Sequence, residues 1–281
     1  GPPFFNQING PIALVLLILM GVGPLLPWRR TDRARLRHLF LAPGLFAIGS
    51  LLLLWLAGIR DLLPLAGLGA AAFVVGTIVD EFWSGVLARR RHSTESIPLA
   101  LARLVRRNNR RYGGYVVHLA IVMIGVGIIG SSFYKTEENV VLRPGETANV
   151  QEFSLQFSGL QHSTGPDTQT VSAPLRIAEE GHPAGTLVPT KVTHLNFAGQ
   201  PPVTGVSIDT IHLKDLYIVL SRVNDNGSID LLVFVNPLVS LIWLGGPLLL
   251  GGFLLCFWPA SQPRQRSHPV PVVPVEVAVE A

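Results

Sequence analysis

Charged residues and cysteine are scarce in this 281-residue sequence. Only 14% of the residues are Asp, Glu, Lys or Arg, and the single cysteine is Cys256. One cysteine within an apolar segment excludes a disulfide framework within the chain, a paired-thiol relay and a cysteine-based zinc cluster. The sequence also has no nucleophile elbow, no phosphate-binding loop and no paired-carboxylate motif, so it gives no support to the common hydrolase and nucleotide-binding classes.

The composition instead places the chain among membrane proteins, because a mean hydropathy of +0.43 with so few charges is unusual for a soluble protein. Residues 133–234, by contrast, have the composition of an ordinary soluble domain. The chain starts Gly1-Pro2-Pro3, with neither a methionine nor a charged segment before its first apolar run, which does not resemble a signal peptide. We expect a fragment or the distal part of a longer protein.

Five apolar segments have the length of about 20 residues that a helix needs to cross a bilayer. The predicted spans are residues 12–28, 39–56, 62–79, the stretch 110–132 that contains His118, and 237–258. We therefore predict four transmembrane helices within residues 1–132, a fifth in 236–258, and a Pro/Val-rich cytoplasmic tail at 259–281. A short amphipathic helix at the cytoplasmic interface is expected at 97–109.

Arginine is concentrated in the loops that follow alternate spans. Five arginines lie between residues 29 and 37, eight between 89 and 111, and Arg264 and Arg266 follow the fifth span. These segments share one side of the membrane if all five spans cross, and the positive-inside rule makes that side the cytoplasm. Residues 133–235 are then outside the cytoplasm. Nucleic-acid binding has no support, because these loops contain neither interleaved aromatic residues nor a recognised module.

Residues 133–235 are predicted to form a β-rich domain inserted between the fourth and fifth spans. Apolar runs at 139–142, 153–160, 171–177, 203–213, 216–223 and 229–235 are separated by Pro and Gly, and Asn226-Gly227 is a strong hairpin signal. This pattern favours a small antiparallel sandwich or barrel. The domain's four histidines, which have no metal-site spacing, are expected at the surface: His162, His182, His194 and His212.

His118 is the candidate functional residue. It lies about one turn inside the fourth span, and an imidazole in hydrocarbon is costly enough to suggest a function. Helical spacing places Gly114, His118, Gly125 and Ser132 on one small, polar stripe, which another helix or a flat ligand could approach closely.

Two interpretations of His118 are open from the residues alone. In one, the imidazole hydrogen-bonds a neighbouring helix and serves packing only. In the other, it ligates a metal or haem iron, for which neutral imidazole is the commonest protein donor.

Dispersed segments along the chain resemble the CcmF family of cytochrome c-type biogenesis proteins. The segments occur in the family's order and cover nearly the whole chain up to Trp258. They are 4–7 (FFNQ), 21–30 (GVGPLLPWRR), 81–91, 108–119 (NNRRYGGYVVHL), 130–132 (GSS), 142–146 (LRPGE), 215–220 (DLYIVL) and 235–239 (VNPLV).

The resemblance implies a haem lyase component of the system I maturation pathway in the bacterial inner membrane. Such a protein receives haem from a periplasmic haem chaperone and takes part in its attachment to apocytochrome c, which a thiol-reducing partner presents. The resemblance also implies that His118 is one of two transmembrane axial ligands of a haem b, and hence the residue that binds the cofactor and its iron. No catalytic residue is expected in this chain.

The sequence departs from the family in three features. The tryptophan-rich WWD segment, its two flanking histidines and the second transmembrane histidine ligand do not occur here, and the five tryptophans are scattered singly. By resemblance these parts belong to the N-terminal portion of the same protein, which becomes the main expected partner besides membrane lipid. Other hypotheses are a permease or export subunit, although no second histidine span indicates an inverted repeat, and a structural anchor that scaffolds partners.

The arginine distribution makes the topology testable. We expect the N-terminus and residues 133–235 to lie in the periplasm and the C-terminus in the cytoplasm. A cysteine introduced at Ser163 should therefore react with a membrane-impermeant reagent from the periplasmic side. Labelling only after the inner membrane has been opened would contradict this topology.

Overall fold

A computed structural model describes residues 2–26, 33–91, 93–197 and 200–259. Part of the sequence-based interpretation lies outside these ranges. The residues concerned are the tail from residue 260 onwards with Arg264 and Arg266, and Arg29, Arg30 and His92.

Six α-helices form in the described part of the chain, and all except α4 contain a segment long and apolar enough to cross a membrane. This confirms the predicted five-helix membrane architecture. The bounds are α1 Pro2–Val22 with a 3₁₀ turn at Gly23–Leu25, α2 Arg33–Leu56, α3 Leu62–Arg90, α4 Ile97–Arg107, α5 Asn109–Phe133 and α6 Val239–Phe257. Helix α4 matches the predicted amphipathic segment to within two residues.

Helix α3 is longer than the sequence predicts. The predicted span ended at Val79, whereas the helix continues to Arg90 and carries Asp80 and Glu81 with it. The Glu81 carboxylate pairs with the guanidinium of Arg111 on α5. Because each charge neutralises the other, the helix accommodates an acidic residue where an unpaired one would be costly.

Helix α3 is the centre of the bundle, and it packs against α1, α2, α4 and α5. Its small residues allow these close approaches. A Cβ added to Gly76 would lie 3.0 Å from the Cα of Pro43 on α2, and one added to Gly69 would lie 2.8 Å from a methyl of Leu51. The Gly- and Ala-rich composition of this helix therefore serves packing, as is common in membrane helices.

Between α5 and α6 the described residues form eleven antiparallel strands in two sheets, ordered β1-β11-β10-β9-β8-β5-β4 and β2-β3-β6-β7. The strands are β1 Thr136–Leu142, β2 Thr147–Val150, β3 Phe153–Phe157, β4 Gln161–Thr164, β5 Thr168–Ser172, β6 Leu175–Glu179, β7 His182–Leu187, β8 Thr190–His194, β9 Val203–Ile211, β10 Lys214–Val223 and β11 Ile229–Pro237.

The core of this domain lies between the two sheets. Alternate residues of the facing strands are fully buried, among them Phe153, Leu155 and Phe157 of β3 and Leu216 and Ile218 of β10. Two sheets that face each other across one apolar layer make a sandwich, which decides between the two predicted alternatives, sandwich and barrel.

The predicted strand at 171–177 is wrong, because the chain changes sheets within it. Strand β5 ends at Ser172 in the larger sheet, and β6 begins at Leu175 in the smaller one. Pro174 lacks the N–H that a continuous ladder needs, and its carbonyl instead accepts a hydrogen bond from Ser158 N at 3.1 Å. Strands β2, β4, β7 and β8 were not predicted, since they are only four to six residues long and largely polar or exposed.

The sandwich is joined to the bundle through one pair of helices. Helix α5 leads into β1 and β11 leads into α6, while β1 pairs with β11 and α5 packs on α6. At the second junction, Leu238 has a positive φ of 64° and donates its N–H to Leu213 O at 2.7 Å. A Cβ on Gly130 of α5 would lie 2.8 Å from the Leu238 Cβ, so the junction is tightly packed.

The pair of Lys214 and Glu152 links the two sheets. Lys214 Nζ at the start of β10 donates a hydrogen bond to Glu152 Oε1 beside β3. Burial raises the pKa of Glu152, but the hydrogen bond and charge of Lys214, together with a backbone hydrogen bond, outweigh it and hold this pKa below its ordinary value of 4.5. A carboxylate with a lowered pKa stabilises the fold above its unfolded-state pKa and loses that effect as the pH falls.

We therefore expect Lys214→Met to lower the free energy of unfolding of the sandwich by up to about 1 kcal/mol at neutral pH, since the pair is partly exposed. The difference from wild type should vanish as the pH falls below 4.5 and should be absent in a Glu152→Gln background. The difference in the free energy of unfolding is measured by urea titrations followed by circular dichroism. A difference that persists in acid would assign the effect to packing of the lysine stem.

Candidate functional site: the open face of helix α5

The His118 side chain is partly buried on α5, and one of its ring nitrogens has no partner. Its Nδ1 is buried and makes no hydrogen bond within the described residues. The ring stands edge-on to Tyr115, with centroids 6.4 Å apart and planes at 88°. An unsatisfied buried polar atom costs about 1–3 kcal/mol, so packing within the described residues leaves this imidazole without a hydrogen bond that would offset its burial.

An aromatic cluster lies on the side of His118 that leads to the start of α5. Phe82 of α3 contacts Tyr112 and Tyr115, with centroid distances of 4.9 and 6.1 Å. Both tyrosines are buried. The cluster fixes the orientation of α5 against α3, and through Tyr115 it limits the positions that the His118 ring can take.

The Glu81–Arg111 pair lies next to this cluster. Arg111 directly precedes Tyr112, and its partner Glu81 directly precedes Phe82. The pair and the aromatic contacts thus hold the same two helices together at the same level.

Helix α5 has two glycine-bearing faces with different surroundings. Gly113, Gly127 and Gly130 face α6: a Cβ on Gly113 would lie 3.0 Å from Gly252 O, and one on Gly127 would lie 2.9 Å from Leu238 O. Approach of one backbone to another at this distance is possible only without side chains. We call this contact the α5–α6 seam.

The second face carries the stripe predicted from the sequence. A Cβ added to Gly114 or to Gly125 would have no heavy atom within 4 Å among the described residues. At these two glycines no described residue packs against the helix, so backbone is exposed on both sides of His118. A partly buried imidazole flanked by bare backbone leaves room for a flat group or for a helix from another part of the protein.

The four histidines of the sandwich do not join His118. His162, His182, His194 and His212 are exposed on the sandwich, as expected from their sequence context. His212 Nδ1 lies 3.0 Å from Glu179 Oε2, but no group of three or more metal-ligating side chains forms within the described residues. The backbone of His38 lies near the start of α2, just before that helix's candidate span.

Sequence reasoning missed the α5–α6 seam. Its members on α6 are Gly245 and Gly252, and a Cβ on Gly245 would lie 3.1 Å from Ala120 O. Two glycines seven residues apart on one helix, opposite glycines at 113 and 127 on another, are the signal that could have indicated it. The buried Asn109 closes the seam by donating from Nδ2 to Trp258 O at 3.2 Å.

Comparison with known proteins identifies the family. Residues 133–237 match the family model described as the CcmF C-terminal beta-sandwich. The whole chain is 29% identical, over 282 aligned positions, to the cytochrome c-type biogenesis protein CcmF of Escherichia coli, and 90% of the chain aligns at 30% identity with CcmF of Pseudomonas aeruginosa. The chain belongs to the CcmF family.

The fold agrees with a solved structure of this family. The structure of the cytochrome c heme lyase CcmF superposes on 92% of the chain with a TM-score of 0.71 and 29% sequence identity. The chain spans only 40% of the length of the E. coli relative and 41% of the solved protein. The chain therefore contains the C-terminal sandwich of a CcmF protein together with membrane helices, and it is much shorter than these relatives.

The two faces of α5 in this CcmF chain can be separated by substituting adjacent residues. Gly113→Ala places a Cβ against the backbone of α6 and should weaken the seam by roughly 1–3 kcal/mol, the usual range for overpacking. Gly114→Ala has open space and should leave the seam intact. The readout is the thiol-labelling rate of Cys256, whose Sγ would lie 2.7 Å from the new Cβ at position 113.

The Gly113 variant should react faster than wild type, and the Gly114 variant at the wild-type rate. Equal acceleration in both variants would contradict the assignment of the two faces, because it would show that both glycines are packed.

Proposed function

We propose that this chain is the C-terminal, haem-binding part of a cytochrome c biogenesis protein of the CcmF family. In this proposal His118 is an axial ligand of a haem b held within the membrane, and the protein helps to deliver haem and attach it to apocytochrome c at the periplasmic face. The observation that carries the proposal is the partly buried imidazole of His118, whose Nδ1 has no hydrogen-bond partner, beside the open space at Gly114 and Gly125 of α5.

The residues around His118 fit a haem. A porphyrin is flat and broad, and Gly114 and Gly125 leave the backbone uncovered one turn before and two turns after the histidine. A neutral imidazole is a standard axial ligand, and bound haem supplies an iron that can accept or release one electron. Bis-imidazole ligation requires a second histidine from another helix, and we assign that histidine to the N-terminal portion of the protein.

The remaining residues of the site position the histidine. Tyr115 packs edge-on against the ring. The Glu81–Arg111 pair fixes α5 against α3, and Gly113 fixes α5 against α6. Helix α5 is thus held on two sides, and its third side carries the imidazole. This arrangement favours ligand binding over a packing role, because packing by His118 would require a partner among the neighbouring helices.

We place the protein in the bacterial inner membrane with the sandwich in the periplasm, in accordance with the arginine-rich loops. His118 is then nearer to the cytoplasmic end of α5, and the same helix continues into β1 at its other end. The proposed partners follow from the function: the N-terminal portion with its WWD segment, a periplasmic haem chaperone, and apocytochrome c with its thiol-reducing partner.

The spectrum of the membrane-extracted protein tests the proposal. The full chain, co-expressed with the N-terminal portion, should show a six-coordinate, low-spin b-type haem. His118→Ala should abolish that spectrum, because the iron loses an axial ligand that no described neighbour can replace. The matched control is His162→Ala, which removes an exposed histidine of the sandwich and should leave the spectrum unchanged.

The same experiment without the N-terminal portion tests the origin of the second ligand. The 281-residue chain by itself should bind added haem weakly and without a low-spin spectrum. Stoichiometric low-spin haem in this preparation would show that both ligands are in this chain. An unchanged spectrum in the His118→Ala complex would refute the assignment of His118, while membrane insertion of the variant excludes a folding defect.

A further inference from the structure

The two outer faces of the β-sandwich differ in chemistry. On the four-stranded sheet, the cross-strand row Thr147, Gln156, Arg176 and Thr186 is polar and exposed. This is the usual arrangement in an antiparallel sheet with one solvated face, where apolar residues point inward and polar residues outward.

The seven-stranded sheet does not follow this pattern. On its outer face, strands β11, β10 and β9 place apolar side chains opposite each other in two adjacent rows. We call these six residues the apolar grid; its rows are Leu232, Val219 and Val206, and Phe234, Tyr217 and Ile208.

The grid is a contiguous surface. Tyr217 and Phe234 are in edge-to-face contact with centroids 5.5 Å apart. On the neighbouring strand, Val206 is 39% exposed and Ile208 is 55% exposed. Isolated surface apolar residues need no explanation, but a contiguous patch on a face that would otherwise be polar marks an interaction site. The inner faces of β10 and β11 are already buried in the core, so the grid makes no contribution there.

We propose that the apolar grid docks against a periplasmic surface of the N-terminal portion of the CcmF protein. This rests on the proposed function, in which that portion is the partner of α5. The chain spans only 40% of the length of the E. coli relative, so most of the length of such a protein lies outside it. Strand β11 continues directly into α6, and β1, which pairs with β11, continues from α5.

A partner that supplies a ligand opposite His118 must lie along α5 and α6. The periplasmic extension of that partner then reaches β1 and β11, the strands that are continuous with these helices. The membrane itself is a poorer occupant. Leu232 and Phe234 lie seven and five residues before the start of α6, or roughly 15–23 Å of extended strand, so both rows lie beyond the end of the membrane helix. The grid therefore needs a polypeptide partner that rises above the membrane together with the sandwich.

Photo-crosslinking tests which molecule covers the grid. A photoreactive amino acid is placed at Val219, in the grid, or at Gln156, on the polar face, in the full chain co-expressed with the N-terminal portion. Mass spectrometry identifies the cross-linked peptides. Peptides of the N-terminal portion at Val219 but not at Gln156 support the proposal. Cross-links only to a second copy of this chain, to lipid or to a separate protein, or none at all, would overturn it.

A charge substitution tests whether the grid is needed to bind the N-terminal portion. Ile208→Asp should reduce co-purification of the N-terminal portion by about tenfold or more, the effect of losing one central interface contact. Gln156→Asp should not, and the circular dichroism melt of each variant reports whether the sandwich is folded. Unchanged co-purification by a folded Ile208→Asp variant would refute the docking site.

The His118→Ala variant separates this proposal from the haem proposal. If it loses the b-type spectrum but keeps the Val219 cross-link, both proposals stand. If Ile208→Asp changes nothing while His118→Ala loses the spectrum, the docking site fails and haem ligation stands. If His118→Ala keeps the spectrum while the Val219 cross-link to the N-terminal portion forms, haem ligation fails and the docking site stands.

Discussion

The close approach of α5 to α6 is the constraint on which the rest of this structure depends. Backbone meets backbone at Gly113 and Gly252, and again at Gly127 and the carbonyl of Leu238. This approach fixes the rotation of α5 about its own axis. With the seam on one side and the α3 aromatic cluster on another, His118 is left on the face that has open space at Gly114 and Gly125.

The seam also determines how the sandwich is held. Helix α5 leads into β1, and α6 follows β11. The distance between these two chain segments must therefore change, over a short length, from that of two packed helices to that of two paired strands. The left-handed conformation of Leu238 and its hydrogen bond to Leu213 make this change within one residue. The membrane part and the β-domain are consequently one continuous unit along these two chain segments, which favours transmission of a displacement of α5 to the larger sheet.

Two surfaces are open within the described residues: the face at Gly114 and Gly125 beside His118 in the bundle, and the apolar grid on the sandwich. One is recognised by an unpartnered nitrogen and bare backbone, the other by apolar residues where polar ones are usual. Both belong to elements joined to the α5–α6 pair. Both surfaces are proposed to pack against the N-terminal portion of the protein.

The sequence by itself determined the elements whose signal is local. Apolar length specified the membrane helices, and the Asn226-Gly227 turn specified the β10–β11 hairpin. His118 was identified because a histidine within hydrocarbon is exceptional. Only the tertiary structure decided which glycines of α5 form the seam, since Gly113 and Gly114 are adjacent and chemically identical. It also decided the strand exchange at Pro174 and the pairing of Glu81 with Arg111, because register and helix rotation depend on contacts between residues far apart in the chain.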